Sequence, residues 1–356
     1  MHATPLSMTA RTLYAELREL ALAFGASGHM GDTPGSVARK TLKGIDYLYY
    51  QYRDLDGCTR QTYLGADNPT TRALLDRLTT RAADHADDLR HMDELRAAFV
   101  AAGGGVMEHA SMRVLQGFAD AGVLRPGLGQ AVLVGTHAFN VLGNLLGVRW
   151  ASQMQTQDID LAGETDLDLA VRNTGVSAPD VLEQLGMGFL PVPTLDPRAA
   201  STSFKVRGQA MRVDLLAPLV GKPGPGPVFV PALNAMAQPL RFLDYLLQEP
   251  VPAVVAGRRT LALVNVPAPE RFALHKLLVS ESREAVFATK AEKDRLQAMQ
   301  LLEVLIEEAP DGIEKAWADL VTRGKGWSDK LDRALKKCQA AYPDVVAYLR
   351  GLDSRN

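Results

Sequence analysis

Three aspartates stand in apolar segments at spacings that suit metal binding. Asp158 and Asp160 are separated by one isoleucine, and Asp214 follows a valine in a later apolar run. Side chains of a strand repeat with period two, so a strand at 157–161 would carry Asp158 and Asp160 on one face. A carboxylate from a neighbouring strand would complete an oxygen cage for two hard cations, as used in nucleotidyl transfer. The sequence therefore predicts Asp158, Asp160 and Asp214 as catalytic ligands of two Mg²⁺ ions, with Mn²⁺ as an alternative.

A second Asp-x-Asp pair follows a few residues later and competes for this role. It consists of Asp166 and Asp168, which come after the Gly163-Glu164 turn. The first pair instead continues directly into Leu161-Ala162, as a strand within a sheet should. We therefore interpret Asp166 and Asp168 as a solvated surface segment.

Gly135-Thr136 lies between an apolar strand predicted at 131–134 and a helix predicted at 137–146. Glycine lets the backbone approach a phosphate closely, and the first turn of a helix offers free N–H donors. The alternative is an ordinary strand-to-helix turn. The downstream acids favour the first interpretation, so Gly135 and Thr136 are predicted to bind nucleotide phosphates.

A triphosphate carries more negative charge than two metal ions cancel, so basic side chains should converge on it. Lys276 is notable because it interrupts an apolar helical run, although a lysine that merely extends from a packed helix is the alternative. His137 and His275 are interpreted as structural. The predicted nucleotide-binding cations are Arg149, Lys276, Arg283, Lys290 and Lys293.

The order of these residues resembles the DNA polymerase beta type nucleotidyltransferase superfamily, in which an apolar strand, a glycine pair, a helix, Asp-x-Asp and a later Asp follow one another. Gly135-Thr136 departs from the usual pair but suits the branch of AbiEii-like and MNT-type bacterial nucleotidyltransferases. The resemblance covers roughly 130–310 and includes 269–277, Arg283 and 290–294. It implies NTP as substrate and Lys276 facing the nucleotide.

Composition bounds the remaining possibilities. A net charge of −2 and a pI near 6.4 give no global electrostatic signature of nucleic-acid binding, so such a contact needs a local patch. Cys58 and Cys338 form neither a metal spacing nor a disulfide framework. No secretory signal or membrane-spanning segment is visible, and the sequence predicts a cytoplasmic protein without a membrane partner.

Local patterns predict an α+β protein with three parts. The first, 1–125, is an N-terminal helical region with a β-hairpin arm at 44–64. The second, 126–266, is a mixed-sheet catalytic domain of the polymerase beta-like nucleotidyltransferase type, according to the resemblance. The third, 267–356, is a C-terminal helical bundle.

The N-terminal hairpin contains five of the nine tyrosines and follows Arg39, Lys40 and Lys43. Aromatic and basic residues together can stack on unpaired bases and hold phosphates, whereas tyrosine is also simply a favoured strand residue. The sequence leaves both interpretations open.

These observations predict a metal-dependent nucleotidyltransferase that moves NMP from NTP to an acceptor hydroxyl. The sequence leaves the identity of the acceptor open: one candidate is an RNA, as for some toxin or abortive-infection relatives, with an antitoxin or regulatory protein as a partner. A small-molecule or protein adenylylating enzyme is the alternative, and a non-catalytic nucleotide-binding module is the third reading.

Overall fold

The computed structural model describes residues 3–26, 35–42, 44–53, 59–126, 131–151, 158–162, 177–193, 200–219, 221 and 226–353. Asp166, Asp168 and Cys58 lie outside these residues. For residues 158–162 the structure describes only the backbone, so the positions of Asp158 and Asp160 follow from the pairing register of their strand.

The described helices are α1 (Met8–Ala26), α2 (Pro69–Ala101), α3 (His109–Asp120), α4 (Gly135–Leu145), α5 (Ala178–Gln184), α6 (Leu243–Leu246), α7 (Pro269–Ser280), α8 (Ala288–Glu308), α9 (Pro310–Thr322), α10 (Lys325–Cys338) and α11 (Pro343–Asp353).

The described strands are β1 (Ala3–Pro5), β2 (Gly35–Leu42), β3 (Ile45–Arg53), β4 (Thr59–Ala66), β5 (Val132–Val134), β6 (Val148–Trp150), β7 (Asp158–Ala162), β8 (Phe189–Pro191), β9 (Ser203–Val206), β10 (Arg212–Pro218), β11 (Val228–Val230), β12 (Ala235–Leu240), β13 (Val251–Ala256) and β14 (Leu261–Val266).

A mixed sheet forms the centre of the described fold. Its strands follow the order β11-β12-β10-β7-β5, with β9 paired to β10 and β8 paired to β9. β5 runs antiparallel to β7, whereas β7 runs parallel to β10. Helices pack on this sheet, so the predicted α+β class is confirmed.

The core of this sheet is continuous with the C-terminal helices. Buried residues of β5 and β10, such as Leu133 and Val213, belong to the same apolar cluster as Phe272 of α7 and Leu302 of α8. From α7 to Asp353 the chain is helical apart from turns, as predicted. The helices therefore supply one wall of whatever site the sheet edge forms.

A smaller apolar cluster joins the N-terminal region to β13. It includes Tyr14 and Leu17 of α1, Phe99 of α2 and Val254 of β13. β1 pairs with β6, which follows α4 directly. The division at 125 and 266 stays a prediction, and clusters of buried apolar residues continue across both positions.

The N-terminal arm has one strand more than predicted. β3 and β4 form the expected antiparallel pair, and β2 adds a third strand on the other edge of β3. The turn between β2 and β3 contains Gly44 with φ +76°, a conformation that favours glycine. β2 carries Arg39 and Lys40 and lacks a long apolar run, which explains why local sequence patterns missed it. Among the described residues, none of the helices has both the length and the apolar composition to cross a bilayer.

Candidate active site

The predicted acids meet at one edge of the central sheet. In the register of the parallel pair β7 and β10, Asp160 lies beside Asp214 and Asp158 lies beside Arg212. On the other side of β7, Val134 at the end of β5 lies opposite Asp160. Neighbouring positions in register share a face, and alternate positions on one strand share it too. The three aspartate positions therefore stand on one face of the sheet.

Asp214 is positioned by a neighbour on its own strand. Its Oδ1 accepts a hydrogen bond of 2.8 Å from Nε of Arg212, and its side chain is 22% exposed. No three metal-ligating side chains cluster among those that the structure describes. Because the side chains of Asp158 and Asp160 are not among them, the strand register carries the argument for the acid positions.

Gly135 forms the junction between β5 and α4. Its φ is +72°, a region that residues with a Cβ rarely adopt, and the preceding Val134 provides no side-chain cap. The first backbone N–H groups of α4 are therefore left without a side-chain acceptor from the capping position. This is the local geometry that the sequence predicted for a phosphate contact.

A cavity of about 610 Å³ opens beside these residues, and we call it the nucleotide cavity. Its volume lies within the range of about 300–1,000 Å³ that is usual for small-ligand sites. Five basic and three acidic side chains line it. The predicted residues that line it are Gly135, Thr136, Asp214, Lys276, Arg283, Lys290 and Lys293.

Lys276, Asp294 and Arg283 form a buried ionic cluster in the cavity wall. Nζ of Lys276 donates to Oδ1 of Asp294 at 2.8 Å, and Nε of Arg283 donates to Oδ2 at 2.6 Å. The side chains of Lys276 and Asp294 are 11% and 4% exposed. Burial alone would raise the pKa of Asp294, but the two cations outweigh it and hold this pKa below its ordinary value. The cluster has two positive charges and one negative charge, so it leaves an excess of positive charge at the cavity.

His275, next to Lys276, also lines the cavity. Neither of its ring nitrogens has a hydrogen-bond partner in the described part of the chain. Burial, and then the charge of Lys276, lowers the pKa of His275 to about 3. The ring is therefore neutral at physiological pH and adds no charge to the site.

Lys290, another of the predicted cations, lies beside the aromatic ring of Phe287 in the lining of the nucleotide cavity. Nζ of Lys290 lies 5.7 Å from the centre of the Phe287 ring, and Phe287 is 45% exposed. Such a contact restrains a lysine without neutralising it. Lys290 thus remains a cation for an anionic ligand.

Arg149 is the predicted nucleotide-binding residue that the structure does not bring to this cavity. It follows α4, whose 11 residues span about 16 Å, so it lies beyond the far end of the helix that begins at Gly135. Its guanidinium donates to the carbonyl of Gly103 and lines a second cavity. His137 lines that second cavity too, where its Nε2 lies 3.0 Å from Oγ of Ser111.

Sequence reasoning missed the role of Asp294. It lies 18 residues after Lys276 on a different helix, a separation with no periodic signal. A hint was available in the sequence, because an aspartate within the apolar face of an amphipathic helix needs a compensating cation. Arg241 and Phe287, which line the same cavity, carried no local signal.

Comparisons with known proteins agree with this geometry. A family model described as "Nucleotidyltransferase" matches residues 109–322, which is more than half of the chain. The match begins at α3, includes the three aspartates and the ionic cluster, and ends with α9. No curated protein and no solved structure gives a significant match to the chain.

Proposed function

Since this chain belongs to the nucleotidyltransferase family, we propose that it transfers NMP from NTP to an acceptor hydroxyl and releases pyrophosphate. The observation that carries the proposal is the parallel pairing of β7 with β10, which sets Asp214 beside Asp160. Asp214 also lines the positively charged nucleotide cavity. The proposal includes a core of the polymerase beta type and the AbiEii-like or MNT-type branch that the sequence resembles. A non-catalytic module fits the family less well than an enzyme does.

The donor set fits two Mg²⁺ ions. All three side chains are carboxylates, the hard oxygen ligands that Mg²⁺ prefers, and their positions share one face of the sheet. Asp158 and Asp160 would hold both ions, and Asp214 would share one of them. When bound, the ions stabilise the charge that develops on the transferred phosphoryl group.

The remaining steps fall to side chains and amides of this chain. The N–H groups that follow Gly135 and the hydroxyl of Thr136 bind the triphosphate, with Lys276, Arg283 and Lys290 as the surrounding cations. Arg212 orients the carboxylate of Asp214 through Oδ1, which leaves Oδ2 to accept the proton of the acceptor hydroxyl.

RNA is the proposed acceptor class, supported by the open face of the arm. The rings of Tyr47 and Tyr49 lie 6.0 Å and 5.4 Å from that of Tyr63, which is 56% exposed. Nζ of Lys40 lies 4.7 Å from the centre of the Tyr49 ring. An exposed ring next to half-buried rings and a cation suits stacking on unpaired bases. In its most specific form, the proposal is that the protein is a cytoplasmic toxin or abortive-infection enzyme with an antitoxin as its partner.

The test is label transfer. The protein is incubated with each α-³²P-labelled NTP and Mg²⁺, together with total RNA, cell protein or small metabolites in separate reactions. We expect label on RNA, and we expect Asp158→Asn, Asp160→Asn and Asp214→Asn each to reduce transfer by at least about 10³-fold, because each removes a charged metal ligand.

Asp166→Asn and Asp168→Asn are the matched controls, since they make the same chemical change in the competing pair. Both should retain activity. Loss of activity in these variants together with normal activity in Asp158→Asn would move the metal site to the second pair. Label on protein or on a small molecule, with none on RNA, would replace the RNA acceptor with the corresponding alternative.

A further inference from the structure

A second and larger cavity, of about 1,160 Å³, lies on the other flank of α4, and we call it the arginine cavity. One face of α4 lines it through His137, Asn140, Val141 and Asn144, at the spacing of successive helical turns. The start of α3, β6 and the turn between β13 and β14 form the other walls. Its size exceeds the usual range of about 300–1,000 Å³ for small-ligand sites, which favours an extended ligand.

Four exposed arginines line this cavity: Arg113, Arg149, Arg258 and Arg259. Within the described part of the chain, none of them forms an ion pair with a carboxylate. Glu108 also lines the cavity, where its carboxylate accepts hydrogen bonds from the amides of Ala110 and Ser111 and caps α3. The four arginines outnumber this one carboxylate, so in a chain with a net charge of −2 the cavity is a local excess of positive charge.

Neutral backbone groups hold these arginines in place. Arg113 donates to the carbonyl of Leu185 at 2.8 Å, and Arg149 donates to that of Gly103. Arg258 and Arg259 stand on a turn whose carbonyls accept hydrogen bonds from Arg96, a nearly buried side chain. Carbonyl partners fix a guanidinium without neutralising it, so the side chains of Arg113 and Arg149 are oriented and still charged, whereas for Arg258 and Arg259 it is the backbone of their turn that is held.

The arginine cavity reaches the same end of β10 as the nucleotide cavity. Ala210 lines it two residues before Arg212, whose side chain holds Asp214. The first two residues of α4 line the nucleotide cavity, and His137, the third, lines the arginine cavity. The two cavities therefore meet the same end of α4, and the nucleotide cavity includes Asp214 in its lining.

We propose that the arginine cavity binds the acceptor and that its four arginines hold the phosphodiester backbone of a single-stranded nucleic-acid end. This inference rests on the proposed function. The terminal hydroxyl oxygen forms a bond to the α-phosphorus of the NTP, the bond from that phosphorus to the bridging oxygen breaks, and pyrophosphate leaves with the electron pair. The hydroxyl proton goes to Oδ2 of Asp214.

The experiment compares two double variants that each remove two exposed positive charges. Arg258→Ala/Arg259→Ala changes the cavity, whereas Lys336→Ala/Arg350→Ala changes helices α10 and α11, which do not line it. Binding of a fluorescent single-stranded RNA with a free 3′ hydroxyl is measured by anisotropy, in the full chain and without NTP, over a series of salt concentrations. Unchanged unfolding temperatures establish that both variants fold.

We expect the cavity variant to lose about tenfold or more in RNA affinity and to show a salt slope smaller by about one to two. The control variant should match the parent, and NTP affinity should be unchanged in both. Equal affinity losses in the two variants, or none in either, would overturn the inference. So would a parent protein that binds no RNA.

A second readout separates this inference from the proposed function. If the parent transfers no label to any acceptor, the proposed function fails, whatever the RNA affinities. If the parent labels RNA and the cavity variant labels it equally well at low RNA concentration, the arginine cavity is not the acceptor site although the enzyme assignment stands.

Discussion

The two cavities on either side of α4 use positive charge in opposite ways. In the nucleotide cavity Lys276 and Arg283 are paired with the buried Asp294. In the arginine cavity the four arginines are exposed, and Arg113 and Arg149 donate to backbone carbonyls and not to carboxylates. In the nucleotide cavity the paired charges contribute to the stability of the fold, whereas in the arginine cavity the charges remain available to a ligand. Substitutions in the two cavities should therefore differ in the property that they change, stability or ligand binding, and in the size of the change.

The largest effect on stability should come from the centre of the ionic cluster. Asp294→Ala leaves Lys276 buried without its counter-ion, and removing one partner of a buried ion pair typically costs about 3–5 kcal/mol. We expect a loss of this size in the free energy of unfolding, measured by chemical denaturation. A loss below about 1 kcal/mol would mean that water reaches the cluster and would weaken the contrast between the cavities.

A double substitution separates stability from binding. Lys276→Met/Asp294→Leu removes both charges in favour of apolar side chains, which is often neutral or stabilising for a buried pair. We expect the double variant to recover most of the stability that Asp294→Ala loses, yet to bind NTP more weakly because the ammonium group of Lys276 is no longer present to donate to a phosphate, although the net charge of the cluster is unchanged. A stable double variant with unchanged NTP affinity would place the nucleotide elsewhere.

Gly135→Val should weaken both folding and NTP binding. A β-branched residue at φ +72° is strained by about 1–3 kcal/mol, and its side chain would occupy space next to the first amides of α4. The control is Gly186→Val, since Gly186 has a similar φ of +62° but does not line the cavity. We expect comparable losses of stability in both variants and a loss of NTP affinity only for Gly135→Val. Equal NTP affinities would remove α4 from the phosphate site.

The pH dependence of stability should reveal the buried, neutral ring of His275. The pKa of His275 is about 3 in the folded chain and 6.5 for an ordinary histidine, so between these values only the unfolded chain takes up the proton. The free energy of unfolding should therefore fall as the pH drops below 6.5, by about 1.4 kcal/mol per pH unit from this residue.

Denaturation at about pH 7 and about pH 5 measures this fall, and we expect His275→Leu to lose its share of it. His109→Gln is the control, because it replaces an exposed histidine that does not line the nucleotide cavity. A pH slope unaffected by His275→Leu would mean that the ring is hydrated in the folded chain.

The smallest effect on stability should come from the arginine cavity. Arg258→Ala removes an exposed side chain that has no carboxylate partner among the described residues, so we expect a change below about 0.5 kcal/mol. Arg96→Ala is the matched arginine substitution, since Arg96 is nearly buried and holds the same turn, and it should cost about 1–3 kcal/mol. Similar losses in both would mean that Arg258 has a structural role.

Local patterns in the sequence predicted the parts of the site that depend on short-range order. The apolar run before Gly135 predicted β5 to within one residue, and the apolar run around Asp214 coincides with β10, because buried strands need such runs. The Asp-x-Asp spacing predicted the positions of Asp158 and Asp160 on one face, since alternation is a property of any strand. Their roles as metal ligands stay predictions.

Contacts between segments that are distant in sequence could not be predicted from local patterns. β13 and β14 are as apolar as the predicted strands, but nothing local indicated that their turn would carry Arg258 to the side of α4. Arg149 was predicted as a nucleotide ligand from its charge and its place after α4. Its neighbour in the structure, Gly103, is 46 residues away in sequence, so the contact depends on how the segment after α2 meets the end of α4, where Asn144 is hydrogen-bonded to the backbone of Gly105.

The hydrogen bonds of Tyr14 bear on how the chain folds as it is synthesised. Its hydroxyl donates to the carbonyl of Val254 at 3.1 Å and accepts from the amide of the same residue at 3.2 Å, across 240 residues of sequence. At a synthesis rate of about 5–20 residues per second, Val254 follows Tyr14 after roughly 10–50 s. Until then the apolar face of α1 can pack against α2 but not against β13, and we expect slow completion of the N-terminal region in refolding, since contacts of long sequence separation form late.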